Sequence, residues 1–94
     1  MFVVNEATNL MEALVAEEFD AVQVSQRYDH HYVQDLYCLT MNALQPRYVR
    51  FVEEARKALT TEERSLLSAS IQQAIHDAHA LLATERRRLH RQAL

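Results

Sequence analysis

The chain has no glycine and no tryptophan, and only one proline and one cysteine in 94 residues. Glycine makes up about 7% of ordinary proteins and is the residue that takes positive φ without steric cost. Its absence disfavours the tight primed turns of two-residue hairpins. It also excludes the Gly-rich phosphate cradles of dinucleotide-binding and P-loop proteins. Helices joined by short loops are what remains. A lone Cys38 cannot form an intramolecular disulfide, and a structural zinc site ordinarily needs Cys-x-x-Cys or comparable spacing. No apolar run approaches the ~20 residues that span a bilayer. Met1-Phe2-Val3-Val4 gives way at once to Asn5 and Glu6, which is too short for a secretory h-region. The expected location is cytoplasmic, without membrane association.

What is present fits one small globular domain over residues 1–94, with 49% hydrophobic and 24% charged residues. A chain of this size buries roughly 60–70% of the surface its unfolded form exposes, so a monomer is viable but marginal. Net charge is −3 and the pI about 5.9, which argues against bulk electrostatic attraction to nucleic acid or anionic membrane. The charge is uneven. Glu6, Glu12, Glu17, Glu18 and Asp20 make the start acidic, and Arg86, Arg87, Arg88 and Arg91 make the 83–94 extension basic. Cations at a helix C-terminus are favoured by the macrodipole, so the arginine run fits the end of a last helix.

Helical spacing organises the chain into an all-α bundle of about four helices. Ala7, Leu10, Met11, Leu14, Val15, Phe19 and Val22 form one face of a helix from Asn5 to Val22, with Asn5 as N-cap. A polar break follows from Gln23 to His31. A second helix runs from Tyr32 to Leu44 on the face of Val33, Leu36, Tyr37, Met41 and Leu44, and Pro46 disfavours helix at Gln45. A third is expected from Arg47 to Leu59, although Tyr48–Val52 alone has the look of a short strand. Thr60 and Glu63 have capping-box spacing. The last helix carries Leu67, Ile71, Ala74, Ala78 and Leu81, thickened by Ile75 and Leu82. Reaching Arg91, it would span about 45 Å and overhang a domain of roughly 13 Å radius of gyration. Such an overhang motivates dimerisation.

Candidate chemistry is sparse. His30 and His31 are adjacent, and His76 and His79 share a helix face, but no metal site is expected from spacings this weak. Cys38 sits mid-helix beside Leu36, Tyr37 and Leu39, where a small buried hydrophobe is expected, and no nucleophile–base arrangement accompanies it. The chain is not expected to be an enzyme. Arg47, Tyr48 and Arg50 after Pro46 are the best anion- or nucleotide-binding cluster. A guanidinium forks onto phosphate or stacks on a base, and tyrosine offers a flat face with a polar tip. The bland alternative makes Tyr48 core and has Arg47 cover the end of the second helix.

The run DLYCLTMNALQPRYV (residues 35–49) resembles the core of the late competence development ComFB family, matching at Asp35, Leu36, Asn42, Leu44, Pro46, Arg47, Tyr48 and Val49. NLMEALVAEEF is similar to the family's opening helix at Asn9, Met11, Glu12, Leu14, Val15 and Glu18. IQQAIHDAHALL looks like its final helix, though less specifically. The resemblance implies a small helical homodimer that acts as a receptor for cyclic dinucleotides such as cyclic di-GMP, in competence, motility or biofilm regulation. On that reading Asp35 accepts from guanine N1–H and N2–H, and Asn42 offers donor or acceptor; equally, Asn42 caps its helix or braces the Pro46 turn. There are departures. The family's cysteine cluster before the aspartate is replaced by Tyr28, Asp29, His30, His31 and Tyr32, so its zinc site is expected to be lost, with ligation by His30 and His31 the residual alternative. RFVEEARKAL replaces a Gly-Glu-containing stretch, and the closing Pro-Arg-His is absent. A ligand-free adaptor that binds a partner protein through its long last helix is the alternative function, and nucleic-acid binding by the C-terminal arginines is a weaker third.

Overall fold

The computed structural model describes the backbone of residues 1–93 and the side chains through Glu85. Arg86, Arg87, Arg88 and Arg91 therefore lie outside the described side chains. Among the described residues the fold is all-α, with five helices and one two-strand pairing. The helices are α1 (Leu10–Ala21), α2 (Val24–Arg27), α3 (His30–Asn42), α4 (Val52–Ala58) and α5 (Thr61–Ala93). The strands β1 (Thr8–Asn9) and β2 (Tyr48–Val49) pair antiparallel, Thr8 opposite Val49 and Asn9 opposite Tyr48.

The first helix begins later than its periodicity predicts. Asn9 is the N-cap, and its side chain accepts from the Met11 amide, while Asn5 is exposed ahead of the helix. Thr8 and Asn9 are drawn into pairing with β2, so the preceding residues cannot continue a helical ladder. Most of the inward face is as expected: Leu10, Met11, Leu14, Val15 and Phe19 are buried, whereas Ala7, ahead of the helix, and Val22 are exposed.

The polar break holds the extra helix. α1 ends at Val22, and Gln23 adopts a left-handed conformation (φ 55°, ψ 45°), the one positive φ among the described residues. That turn directs Val24 inward, where it is 1% exposed. α3 then starts at His30 because the Asp29 side chain accepts from the Tyr32 amide, two residues before the expected start. It ends at Asn42, and residues 43–47, Pro46 among them, separate it from the strand at Tyr48.

After Pro46 the expected helix from Arg47 divides. Tyr48–Val49 is strand, and only Val52–Ala58 is helical. The strand wins because β1 and the Asn9 side chain supply partners that a helix there would forgo. The Thr60–Glu63 capping box forms as its spacing predicts. The Thr60 amide donates to Glu63 Oε1 at 3.1 Å, and the Glu63 amide donates to Thr60 Oγ1 at 3.0 Å.

α5 is the spine. Its 33 residues correspond to roughly 50 Å of helix, close to the longest molecular extent of 52 Å, and the radius of gyration is 15.8 Å. A compact chain of this length would have about 12–13 Å, so the helix does overhang. Ile71, Ala74 and Ala78 are buried beneath α1 and α3 with Leu36, Val15 and Leu10. Leu81, expected on the same stripe, is 56% exposed, and Leu82 takes the inward position against the core instead.

Candidate functional site

Asn9 connects the start of α1 to the segment after Pro46. Its Oδ1 accepts from the Met11 amide at 3.1 Å and from the Arg47 amide at 2.9 Å. The Leu10 amide in turn donates to the Arg47 carbonyl at 2.8 Å. Arg47 is thus held through both its amide and its carbonyl, and the next residue is presented in register opposite Asn9. That residue is Tyr48, 69% exposed. It is not core, as the bland reading had it; only Val49, its neighbour of opposite strand parity, turns inward to half-burial.

Arg47 and Arg50 lie on either side of Tyr48 in the sequence, and each guanidinium pairs with a surface carboxylate. Arg47 Nη2 lies 3.6 Å from Glu63 Oε2, and Arg50 Nη2 lies 2.9 Å from Glu6 Oε2. The Arg50 guanidinium also sits 5.1 Å from the centroid of the exposed Phe51 ring. Exposed pairs of this kind contribute little to stability. Glu63 is held below the usual carboxylate range, first by the Thr60 amide and hydroxyl that its capping role supplies, and less by Arg47.

On the other side of Pro46 lies an open groove of about 500 Å³. Glu12 comes to it from α1, Tyr37, Cys38, Met41 and Asn42 from α3, and Pro46 closes one end. Cys38 is exposed, which corrects its expected burial: the inward stripe of α3 passes through Tyr32, Leu36 and Thr40 instead. Thr40 occupies the buried position by donating its hydroxyl to the Leu36 carbonyl at 2.7 Å. Burial pushes the Tyr37 hydroxyl above its ordinary value, and the Glu12 carboxylate adds to this.

Arg47, Tyr48 and Arg50 share the short segment after Pro46, and Asn42 lines the adjoining groove. Asp35 is exposed on α3, two turns or roughly 10 Å before Asn42 along the axis. It extends the stripe of Cys38 and Asn42 beyond the groove. Glu12, Asn9, Glu6 and Glu63 complete the surroundings, and sequence reasoning did not single them out for this role. A signal for two of them was available, since Asn9 and Glu12 both fall in the run that resembles the family's opening helix.

The histidines lie elsewhere. His30 and His31 are exposed with ring centroids 5.7 Å apart. His79 is bound into an aromatic cluster: its Nδ1 is 2.6 Å from the Tyr32 hydroxyl, and Tyr28 stacks on Tyr32 at 4.7 Å. Among the described residues, no three His, Cys, Asp or Glu side chains come together as a metal site. The donor set here does not fit the family's zinc, since one thiol on the outer face of α3 replaces the cysteine cluster. No described helix is long and apolar enough to cross a membrane.

Comparison with known families is consistent with these features. The family described as late competence development protein ComFB matches residues 8–86, from the first residue of β1 into the last part of α5. No curated protein and no solved structure gives a significant match to the chain. With the match extending over most of the chain and covering the Asn9 clasp, the groove and the Arg47–Tyr48 edge, the chain belongs to the ComFB family.

Proposed function

We propose that this chain is a non-enzymatic, cytoplasmic regulatory protein of bacteria that acts as a homodimeric receptor for a cyclic dinucleotide such as cyclic di-GMP, bearing on competence, motility or biofilm behaviour. The observation that carries the reading is Tyr48: a ring 69% exposed, on the same short segment as two arginines whose carboxylate partners lie at the surface. Leaving a large aromatic in water forgoes about 1.5–3 kcal/mol of burial, which a stacked base would recover. A phosphodiester approaching the edge takes Arg47 from Glu63 and Arg50 from Glu6, exchanging weak surface pairs for charge-assisted forks. Asn42 in the groove and Asp35 beyond it supply the donor and acceptors that read a guanine edge, and Glu12 adds a second carboxylate acceptor. A two-fold ligand suits a two-fold dimer, because each protomer then offers the same edge. No catalytic step, zinc or other cofactor is required.

Calorimetry with cyclic di-GMP and cyclic di-AMP, on wild type and Arg47→Ala, tests the reading. Binding of one dinucleotide, weakened at least tenfold in the variant, is the expected result. Absence of heat with either at tens of micromolar, from folded protein, removes it.

A second reading, an adaptor that docks a partner protein along α5, is favoured by the exposure of Leu66 (65%) and Leu81 (56%) on that helix. It predicts a stoichiometric partner that is lost on truncation after Leu82.

A further inference from the structure

We infer that Asn9 is a positioning residue for the Arg47–Tyr48 edge, separate from its role as the cap of α1. One carboxamide oxygen serves two amides that are distant in sequence, Met11 on the helix and Arg47 on the loop after Pro46. An N-cap needs only the first of these. The second reaches across 38 residues and lies on the residue immediately before the exposed tyrosine. The Leu10 amide donates to the carbonyl of the same residue at 2.8 Å, and the Asn9–Tyr48 pairing sets the register. Strand pairing here is only two residues long on each side, too short to hold an edge by itself. The side-chain bond is therefore a large share of what fixes Arg47 and, through it, the direction of Tyr48.

Side-chain length makes the two roles separable. Aspartate has the same reach as asparagine and presents acceptor oxygens only, so Asn9→Asp keeps both bonds. Serine caps helices as well as asparagine, but its hydroxyl lies one bond closer to the backbone. Asn9→Ser should keep the Met11 bond and release Arg47.

The consequence for ligand binding rests on the cyclic-dinucleotide reading above, whereas the anchoring itself does not. The experiment measures amide-proton exchange at Met11 and Arg47 by NMR in wild type, Asn9→Ser and Asn9→Asp, and then titrates each with cyclic di-GMP. In Asn9→Ser, Arg47 exchange should rise about five- to tenfold with Met11 unchanged, and binding should weaken by a similar factor. Asn9→Asp should match wild type in both. Unchanged Arg47 exchange in Asn9→Ser overturns the inference, as does equal exposure of Met11 and Arg47, which would reduce Asn9 to a cap. Changed exchange with unchanged affinity overturns the positioning role while leaving the receptor reading intact. If wild type binds no dinucleotide, the receptor reading falls, and the exchange data alone decide whether Asn9 anchors the edge.

Discussion

Replacing Gln23 with glycine should stabilise this protein, and the size of the effect follows from one backbone angle. Gln23 sits at φ 55° and ψ 45°, directly after the residue that ends α1. Its amide donates to the Asp20 carbonyl at 3.2 Å, and the Val22 amide donates to Glu18 at 3.1 Å, as in helix ends closed by a left-handed residue. An L-residue held there costs roughly 1–2 kcal/mol through the contact of Cβ with the following carbonyl. Glycine removes that contact but loses roughly 0.5–1 kcal/mol more backbone entropy on folding. The expected net gain of Gln23→Gly is about 0.5–1 kcal/mol. With an unfolding entropy of about 200 cal/mol/K for a chain of this length, this corresponds to a rise in Tm of roughly 3–5 °C. Gln23→Ala keeps Cβ and should stay within about 0.5 kcal/mol of wild type. Thermal and urea unfolding followed by circular dichroism, at matched protein concentration to hold any self-association constant, measures both. If glycine is no more stable than alanine, the left-handed turn is not present in solution and the path from α1 into α2 is wrong.

Leu36 is fully buried at the centre of the core, so Leu36→Ala should lose about 3–5 kcal/mol in urea unfolding; a loss under about 1.5 kcal/mol would mean that α3 packs on another face. Tyr32→Phe removes the hydroxyl bond to His79 Nδ1 and should cost about 0.5–1.5 kcal/mol near neutral pH. Burial, with a smaller contribution from His76, holds His79 below its ordinary value of 6.5. The unfolded chain therefore takes up that proton first as pH falls. The stability His79 contributes is complete above about pH 6.5 and is lost as pH drops through the lower folded value. An NMR titration should place His79 below its ordinary value, and Tyr32→Phe should raise it by removing a bond to the neutral ring. Glu63→Gln keeps a residue suited to the capping box but removes the charge beside Arg47. Cyclic di-GMP affinity measured by calorimetry should stay equal or tighten a few-fold, and a clear weakening would mean that Glu63 orients Arg47 rather than competing for it.

The helical fold was largely legible because stripes such as Leu10, Leu14 and Val15, or Ile71, Ala74 and Ala78, recur at the helix period and are indeed buried. The Thr60–Glu63 cap was equally plain, since both partners lie within four residues. What escaped was decided by partners remote in sequence. The Arg47–Val49 segment was readable as a helix start or as a short strand, and it is a strand because Thr8 and Asn9 lie beside it. Asn5 and Asn9 are both good caps by local chemistry, and only the Arg47 amide makes Asn9 the better one. Cys38 was misplaced because α3 buries Thr40, a polar residue that satisfies its own hydroxyl within the helix; this turns the thiol outward. At the candidate site, Arg47, Tyr48 and Arg50 could be named from side-chain chemistry and resemblance. The carboxylates of Glu6 and Glu63 could not, because each reaches the arginines from a remote part of the chain.

The central claim is that the exposed Arg47–Tyr48 edge receives a cyclic dinucleotide. Isothermal titration of cyclic di-GMP into wild type and Tyr48→Ala tests it most directly, because the ring is exposed and its loss should leave the fold intact. Wild type should bind the dinucleotide and Tyr48→Ala should bind it at least tenfold more weakly, since a base–aromatic stack contributes roughly 1–3 kcal/mol. Equal affinity in the two proteins, or no binding to folded wild type at tens of micromolar, would contradict it.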